Sequence, residues 1–375
     1  MAAKRLSAEH GVVCRVPDSD LGYFGWPTLA RLEDGTLIAA SSGLRQEHMC
    51  PYGKTVINTS QDDGASWSAP RVIHSSPLDD RDAGVVDLGG GRVLVTWMTC
   101  HYPEPLTDEQ ATDWLGEGGA AMVESWRPTL DAISKQELAD HLGSWTIRSD
   151  DGGVTWGDVT RAPVATPHGP IRLRDGDLLY LGKRYVEGPD ELNDGKIVAA
   201  HSGDGGQTWT ERGSVPAFPG LTTRTYAEPH VVEFPSGKLL GMVRLGSNSR
   251  FHLELAGALH FSMMQSESED GGRTWSDLKP LSFHGCPPHL LRHSSGRLVL
   301  VYGYRLVPFG QRVALSDDEG ATWEHDWILR DDGVDFDLGY PSTVEMGDGS
   351  LMTLYYQKLA GDRQSSLLGS RWELP

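Results

Sequence analysis

The chain is poor in cysteine and in positive charge, and it contains no long apolar run. Its four cysteines, Cys14, Cys50, Cys100 and Cys286, lie far apart with no CxxC among them. That excludes a dense disulfide framework and the common zinc spacings. Lys and Arg total 33 against 52 Asp and Glu, a formal charge of -19, which repels phosphate backbones and anionic lipid surfaces. Neither a nucleic acid nor a membrane is therefore expected as a partner. No apolar stretch approaches the roughly 20 residues needed to cross a bilayer. The opening MAAKRLSAEHG has no signal-peptide core, so the expected location is the cytoplasm.

What is plentiful is glycine, 45 residues, alongside 22 prolines. With helical periodicity missing over most of the chain, this composition points to an all-β fold of many short strands and tight turns. One octapeptide recurs five times: SQDDGASW from Ser60, SDDGGVTW from Ser149, SGDGGQTW from Ser202, SEDGGRTW from Ser268 and SDDEGATW from Ser316. The form S-x-D-x-G-x-[ST]-W suits a turn in which Asp62, Asp151, Asp204, Asp270 or Asp318 accepts backbone N–H groups, Gly takes a positive φ, and Trp packs on a sheet.

A second repeat is independent of the first. Six hairpins turn on Gly35, Gly91, Gly176, Gly237, Gly296 and Gly349, in contexts such as LEDGTLIA and FPSGKLLG. Each is a short-range hairpin signal between apolar strands. The octapeptide follows the hairpin glycine by 25, 26, 31 and 20 residues in units one, three, four and five, but by 58 in unit two. Unit two therefore carries an insertion over about 101–143, where RPTLDAISKQELADHL reads as one short amphipathic helix. Six four-stranded units predict a six-bladed β-propeller forming a single domain over 1–375, its last blade completed by the strand near GVVCRV.

The hairpin register predicts which residues meet at the channel mouth. Nine residues before each hairpin glycine stand Trp26, Asp82, Pro167, Glu228, Pro287 and Tyr340; eight before stand Pro27, Ala83, His168, Pro229, Pro288 and Pro341. Asp82, His168, Glu228 and Tyr340 are thereby expected to converge although they are remote in sequence.

These residues resemble the sialidase superfamily. The five octapeptides are similar to its Asp-boxes, also called BNR repeats, and six units match its six-bladed propeller. AEPHVVEFPSGKLLGMVR looks like the segment carrying that family's glutamate and second arginine, which implies those roles for Glu228 and Arg244. QRVALSDDEGATW resembles the third-arginine segment and implies Arg312, while GYPSTVEMGDGSLMTLYY resembles the nucleophile segment and implies Tyr340. The chemistry suits these types. A sugar with a carboxylate on its anomeric carbon repels an anionic nucleophile, so a neutral tyrosine serves, with Glu228 as its base and guanidinium forks on the carboxylate.

Two departures stand out. Where the family places its first arginine this chain reads GWP, with Trp26 inward, and SSGLRQEHMCPYGK lacks the family's acid/base aspartate. Arg45 is a candidate to restore the charge. Asp82, then His48, are candidates for the proton donor, with Glu47 a further one. His168 and the pair His284 and His289 of HGCPPH are candidates for sugar contacts; their spacing is a poor metal motif, and neither a metal nor a cofactor is expected.

The resemblance implies an exo-acting retaining glycosidase that removes a terminal sialic acid or related acidic sugar from a glycan. Two alternatives share the fold. One acts on a uronate or rhamnose-containing glycan by hydrolysis or elimination, and the other is a non-catalytic glycan-binding propeller.

Overall fold

A computed structural model describes residues 4–101, 107–116, 118–184, 194–246 and 250–375. Six antiparallel sheets follow one another along the chain. The first three are built on inner strands Tyr23–Arg31, Asp79–Gly89 and the short Ile171–Arg172. The last three start with Tyr226–Glu233, Pro288–Arg292 and Gly339–Glu345. Neighbouring blades touch all the way round, from the sixth back to the first, through their inner strands except that blade three meets blade four through Leu178–Arg184. This is the six-bladed propeller expected from the repeats. Ala8–Cys14 pairs antiparallel with Ser365–Trp372 and completes blade six. A feature not foreseen is that Lys4 and Arg5 extend blade five, parallel to Trp327 and Ile328.

The core lies between blades. The second strands, such as Leu37–Arg45 and Leu298–Tyr304, are buried along nearly their whole length because each of their faces packs on an adjacent sheet. One hydrophobic cluster joins blade four to blade five through Phe234, Leu240, Leu290 and Leu300. Another closes the ring between blades six and one through Trp26, Leu37, Leu354 and Tyr356. At the axis, side chains latch one blade to the next. Ser342 Oγ accepts the Leu29 amide at 3.1 Å, His230 Nδ1 accepts Leu290 N at 3.0 Å, and His289 Nδ1 accepts Thr343 N at 3.4 Å.

The octapeptides are turn locks between the third and fourth strands. In the first, Asp62 Oδ1 accepts Ser60 Oγ at 2.8 Å and Ser66 N at 2.9 Å, while Trp67 Nε1 donates to Gly64 O at 3.1 Å. Asp151, Asp204, Asp270 and Asp318 repeat the serine and backbone bonds.

The insertion of unit two corrects the single-helix reading. Its residues 102–106 and 117 lie outside the described residues. The rest forms three helices: α1 (Asp108–Leu115), α2 (Gly119–Asp131) and α3 (Lys135–His141). The predicted helix breaks because Ser134 caps a new one, its hydroxyl accepting Glu137 N while Glu137 reaches back to the Ser134 amide, a capping box that fixes a start where the pattern suggested continuity. Trp126 of α2 is buried and donates its indole N–H to Gln46 Oε1, which ties the insertion to the 46–50 loop of blade one.

Candidate active site

The register prediction has a backbone cause. At Trp26–Pro27, Asp82–Ala83, Glu228–Pro229 and Tyr340–Pro341 the inner strand carries two residues opposite one on its neighbour. Each is a β-bulge, a device that re-aims side chains at a sheet end. Trp26, Asp82, Glu228 and Tyr340 have φ of 52°, 55°, 46° and 50°, a left-handed conformation costing on the order of 1–3 kcal/mol for a residue with a Cβ. Strain repeated at four equivalent positions holds four side chains at one mouth of the channel.

Among them Tyr340 Oη donates to Glu228 Oε1 at 2.5 Å. Arg244 Nη1 donates to Tyr340 Oη at 3.0 Å and also bonds Glu228 Oε2. Burial pushes the Tyr340 phenol well above its ordinary value, and the Glu228 charge adds to this against the pull of Arg244. Burial also pushes Glu228 upward, but the charge and hydrogen bond of Arg244 and the bond from Tyr340 outweigh it, leaving the carboxyl below its usual range. At neutral pH the pair is a phenol on a carboxylate, with the proton resting on the tyrosine.

Arg305, which follows the strand Leu298–Tyr304, places its guanidinium 5.6 Å from the Tyr340 ring centre. Its Nε and Nη2, and the Nε of Arg244, are buried without a hydrogen-bond partner among the described residues. Buried guanidinium donors left open at one place form a receptor for planar oxyanions.

Asp82 is 8% exposed. Burial raises its carboxyl to about 6, with Arg81 opposing and Glu228 reinforcing the shift. His48 has a third of its side chain exposed and bonds Asp337 Oδ1 through Nδ1 at 2.9 Å. The same carboxylate accepts Tyr23 Oη at 2.9 Å and Tyr356 Oη at 2.8 Å. Burial opposes ionisation of Asp337, but His48 and these donors hold it well below the usual carboxylate range.

Several sequence-derived candidates are not open to a substrate. Arg45 is 0% exposed; it grips both oxygens of buried Asp79 and donates to the carbonyls of Glu47 and His48. It braces a loop and is closed to a substrate. Trp26 is likewise fully buried, with Arg81 stacked 4.1 Å and Arg45 4.8 Å from its ring centre. Arg312 spends its guanidinium on the carbonyls of Arg330, Pro308 and Gln311 and stacks on Tyr304. His168 and His289 are buried within the channel against His230. His284 bonds the His260 carbonyl at 2.8 Å.

Arg305 and Asp337 were missed. Arg305 had a signal, since Arg45, Arg244 and Arg305 all stand at or just beyond the end of a second strand; the resemblance of QRVALS drew attention to Arg312 instead. Asp337 lies outside every repeat and had none.

Arg45→Leu is expected to cost about 3–5 kcal/mol of folding stability, because it leaves the buried Asp79 charge without its main partner. A urea midpoint unchanged from wild type would contradict the bracing role.

A family model described as a BNR repeat-like domain matches residues 129–353. The Anhydrosialidase of Macrobdella decora is 24% identical over 237 residues, 55% of this chain and 28% of that protein; the chain therefore spans well under two thirds of that relative. Among solved structures, a Dyadobacter fermentans protein of unknown function superposes with a TM-score of 0.76 at 21% identity, covering 100% of both chains. The NanB sialidase from Streptococcus pneumoniae gives 0.66 at 13% identity, covering 97% of this chain and 70% of that one. At such identities the structural likeness speaks for the fold alone.

Proposed function

The chain belongs to the BNR repeat-like domain family, and on that premise we propose that it is an exo-acting glycoside hydrolase of the sialidase type, acting on a glycan that ends in an acidic sugar. The observation that carries this reading is the contact of Tyr340 with Glu228 beside buried guanidinium donors that lack partners. An ordinary phenol has a pKa near 10, so free phenolate at pH 7 costs about 4 kcal/mol. Glu228 reduces that cost by taking the proton as attack proceeds. Tyr340 Oη bonds to the anomeric carbon, the glycosidic oxygen leaves with a proton from a donor, and water then displaces the tyrosine with net retention. Arg244 and Arg305 face the carboxylate of the sugar.

A neutral nucleophile matters because an acidic sugar repels a carboxylate. The resting site is suited to an anion: Arg305 and Arg244 repel one another, and an oxyanion between them relieves that repulsion. The missing first arginine favours a second reading, in which the acidic sugar is a uronate or part of a rhamnose-containing glycan. Gly25 stands where that arginine would be, with Trp26 beside it in the isoleucine's place, and Arg45 is committed to Asp79.

The deciding experiment is turnover of fluorogenic α-sialosides beside uronide and rhamnoside panels. Arg305→Ala should raise KM for the acidic substrate roughly 10- to 150-fold, the equivalent of one charge-assisted bond, and leave any uncharged glycoside nearly unaffected. Equal losses on charged and uncharged substrates would remove Arg305 from the carboxylate site. Silence across the panel, with glycan binding unaltered by Tyr340→Phe, would make the protein a lectin-like propeller.

A further inference from the structure

We propose that the proton donor to the leaving group is His48, positioned by Asp337, and that Asp82 contacts the sugar ring instead. This rests on the glycosidase reading above. Asp82 shares the bulge register of Glu228 and Tyr340 and its charge is felt by both Glu228 and the phenol. It therefore belongs to the floor from which the nucleophile attacks. A retaining glycosidase needs its acid flanking the scissile bond across from the nucleophile, and an exo-acting pocket releases its leaving group toward solvent. His48, on the 46–50 loop, keeps a third of its side chain open to the solvent into which the leaving group departs.

The loop is built to hold it. Arg45, locked by Asp79, donates to the carbonyls of Glu47 and His48, at 3.3 and 3.0 Å. Gln364 Nε2 donates to Gln46 O at 2.8 Å, and the Trp126 indole holds the Gln46 side chain. The His48 ring meets the face of Trp26 at 4.9 Å, edge on, and Trp26 in turn meets Tyr340 at 6.4 Å. Asp337 takes the Nδ1 proton, which leaves Nε2 as the exchanging nitrogen, as in other imidazole–carboxylate pairs. Asp337 is a positioning residue; it is saturated by His48, Tyr23 and Tyr356.

Protons balance through the cycle. As Tyr340 Oη bonds the anomeric carbon, its proton passes to Glu228, the carbon–oxygen bond to the aglycone breaks, and the departing oxygen takes the His48 Nε2 proton. In the second step His48 Nε2 accepts a proton from the incoming water, whose oxygen displaces Tyr340, and Glu228 returns the proton to the phenolate. The imidazolium must exist at the start. Around His48 stand Asp337, Tyr23, Trp26, Arg81, Arg305 and, at its carbonyl, Arg45. Burial lowers its pKa from the ordinary value, Asp337 raises it, and Arg81 and Arg305 lower it further. Activity should therefore decline as pH rises through a midpoint below 6.5.

The test compares an aryl glycoside with a good leaving group and an alkyl or disaccharide substrate with a poor one, after the wild type has turned over both. His48→Ala should keep kcat/KM for the aryl substrate within about tenfold and lose 10²–10⁴-fold on the poor leaving group. Added azide should restore aryl kcat by replacing the water that His48 no longer activates. Asp337→Asn should lower kcat with little change in KM and move the alkaline limb to lower pH. Asp82→Asn should weaken both substrates alike. If the leaving-group split and azide rescue appear in Asp82→Asn, and His48→Ala loses both substrates equally while its circular dichroism and melting match wild type, the His48 assignment is overturned and the glycosidase reading stands. If the wild type cleaves no acidic glycoside, the reading itself falls first.

Discussion

Tyr340→Phe is expected to reduce kcat by roughly 10⁴-fold while the protein stays folded. The substitution keeps the ring, and with it the contacts to Trp26 at 6.4 Å and Tyr356 at 5.8 Å. Only the hydroxyl goes, and Glu228 keeps Arg244 as its partner. Loss of its two hydrogen bonds, to Glu228 and from Arg244, costs about 2 kcal/mol of stability, small beside the catalytic effect. Glu228→Gln should cost less, about 10²–10⁴-fold, since it removes a base and leaves the nucleophile in place. Because Glu228 is held below the usual carboxylate range, its loss of function on acidification should lie below pH 4.5, well under the alkaline limb. Retention of a tenth or more of wild-type activity in Tyr340→Phe, on substrates of both leaving-group classes, would remove the tyrosine from the nucleophile's role.

The fold was legible because the propeller repeats its own grammar. Each hairpin glycine and each octapeptide marks a fixed place in a blade, so counting back from Gly237 and Gly349 placed Glu228 and Tyr340 together across 112 residues. What counting could not show was the means. A bulge adds a residue on one strand without changing the spacing to the turn, and the positive φ at Glu228 or Tyr340 leaves no mark in residue type, since both are residues that usually avoid it. The arginines were less legible because their register varies: Arg244 stands seven residues after its glycine and Arg305 nine. Arg45 and Arg305 look alike in sequence as basic residues near the end of a second strand. Asp79 makes the difference, since it grips one, whereas Arg305 Nε and Nη2 have no hydrogen-bond partner among the described residues. His48 was legible as a candidate and its carboxylate was not, because Asp337 reaches it from a loop between blades five and six that belongs to no repeat.

The histidines of the channel set the second large expectation: the fold should lose stability steeply as pH falls below about 6. His168, His230 and His289 come from blades three, four and five, packed with ring centres 4.2 to 5.6 Å apart. Burial depresses all three, with His230 brought to about 3 and its neighbours adding repulsion to His168 and His289. His230 and His289 receive backbone amides on Nδ1. Protonating that nitrogen breaks a latch between blades. Unfolded histidine titrates near 6.5, so the unfolded chain binds more protons below that value while the three folded imidazoles follow only well below it, His230 at about 3. Stability is full above 6.5 and falls between those limits, by about 1.4 kcal/mol per pH unit for each histidine and about 4 for the three. Asp82 works in the opposite sense, because its carboxyl is raised to about 6 and protonation relieves its burial; one such group offsets part of one histidine. The box aspartates, held at about 2, weaken the fold only below about pH 4. Urea unfolding at pH 7, 6 and 5 measures the slope, and His168→Gln with His289→Gln should flatten it by about two thirds. A wild-type stability that stays level from pH 7 to 5 would mean that the imidazoles take up protons within the folded channel.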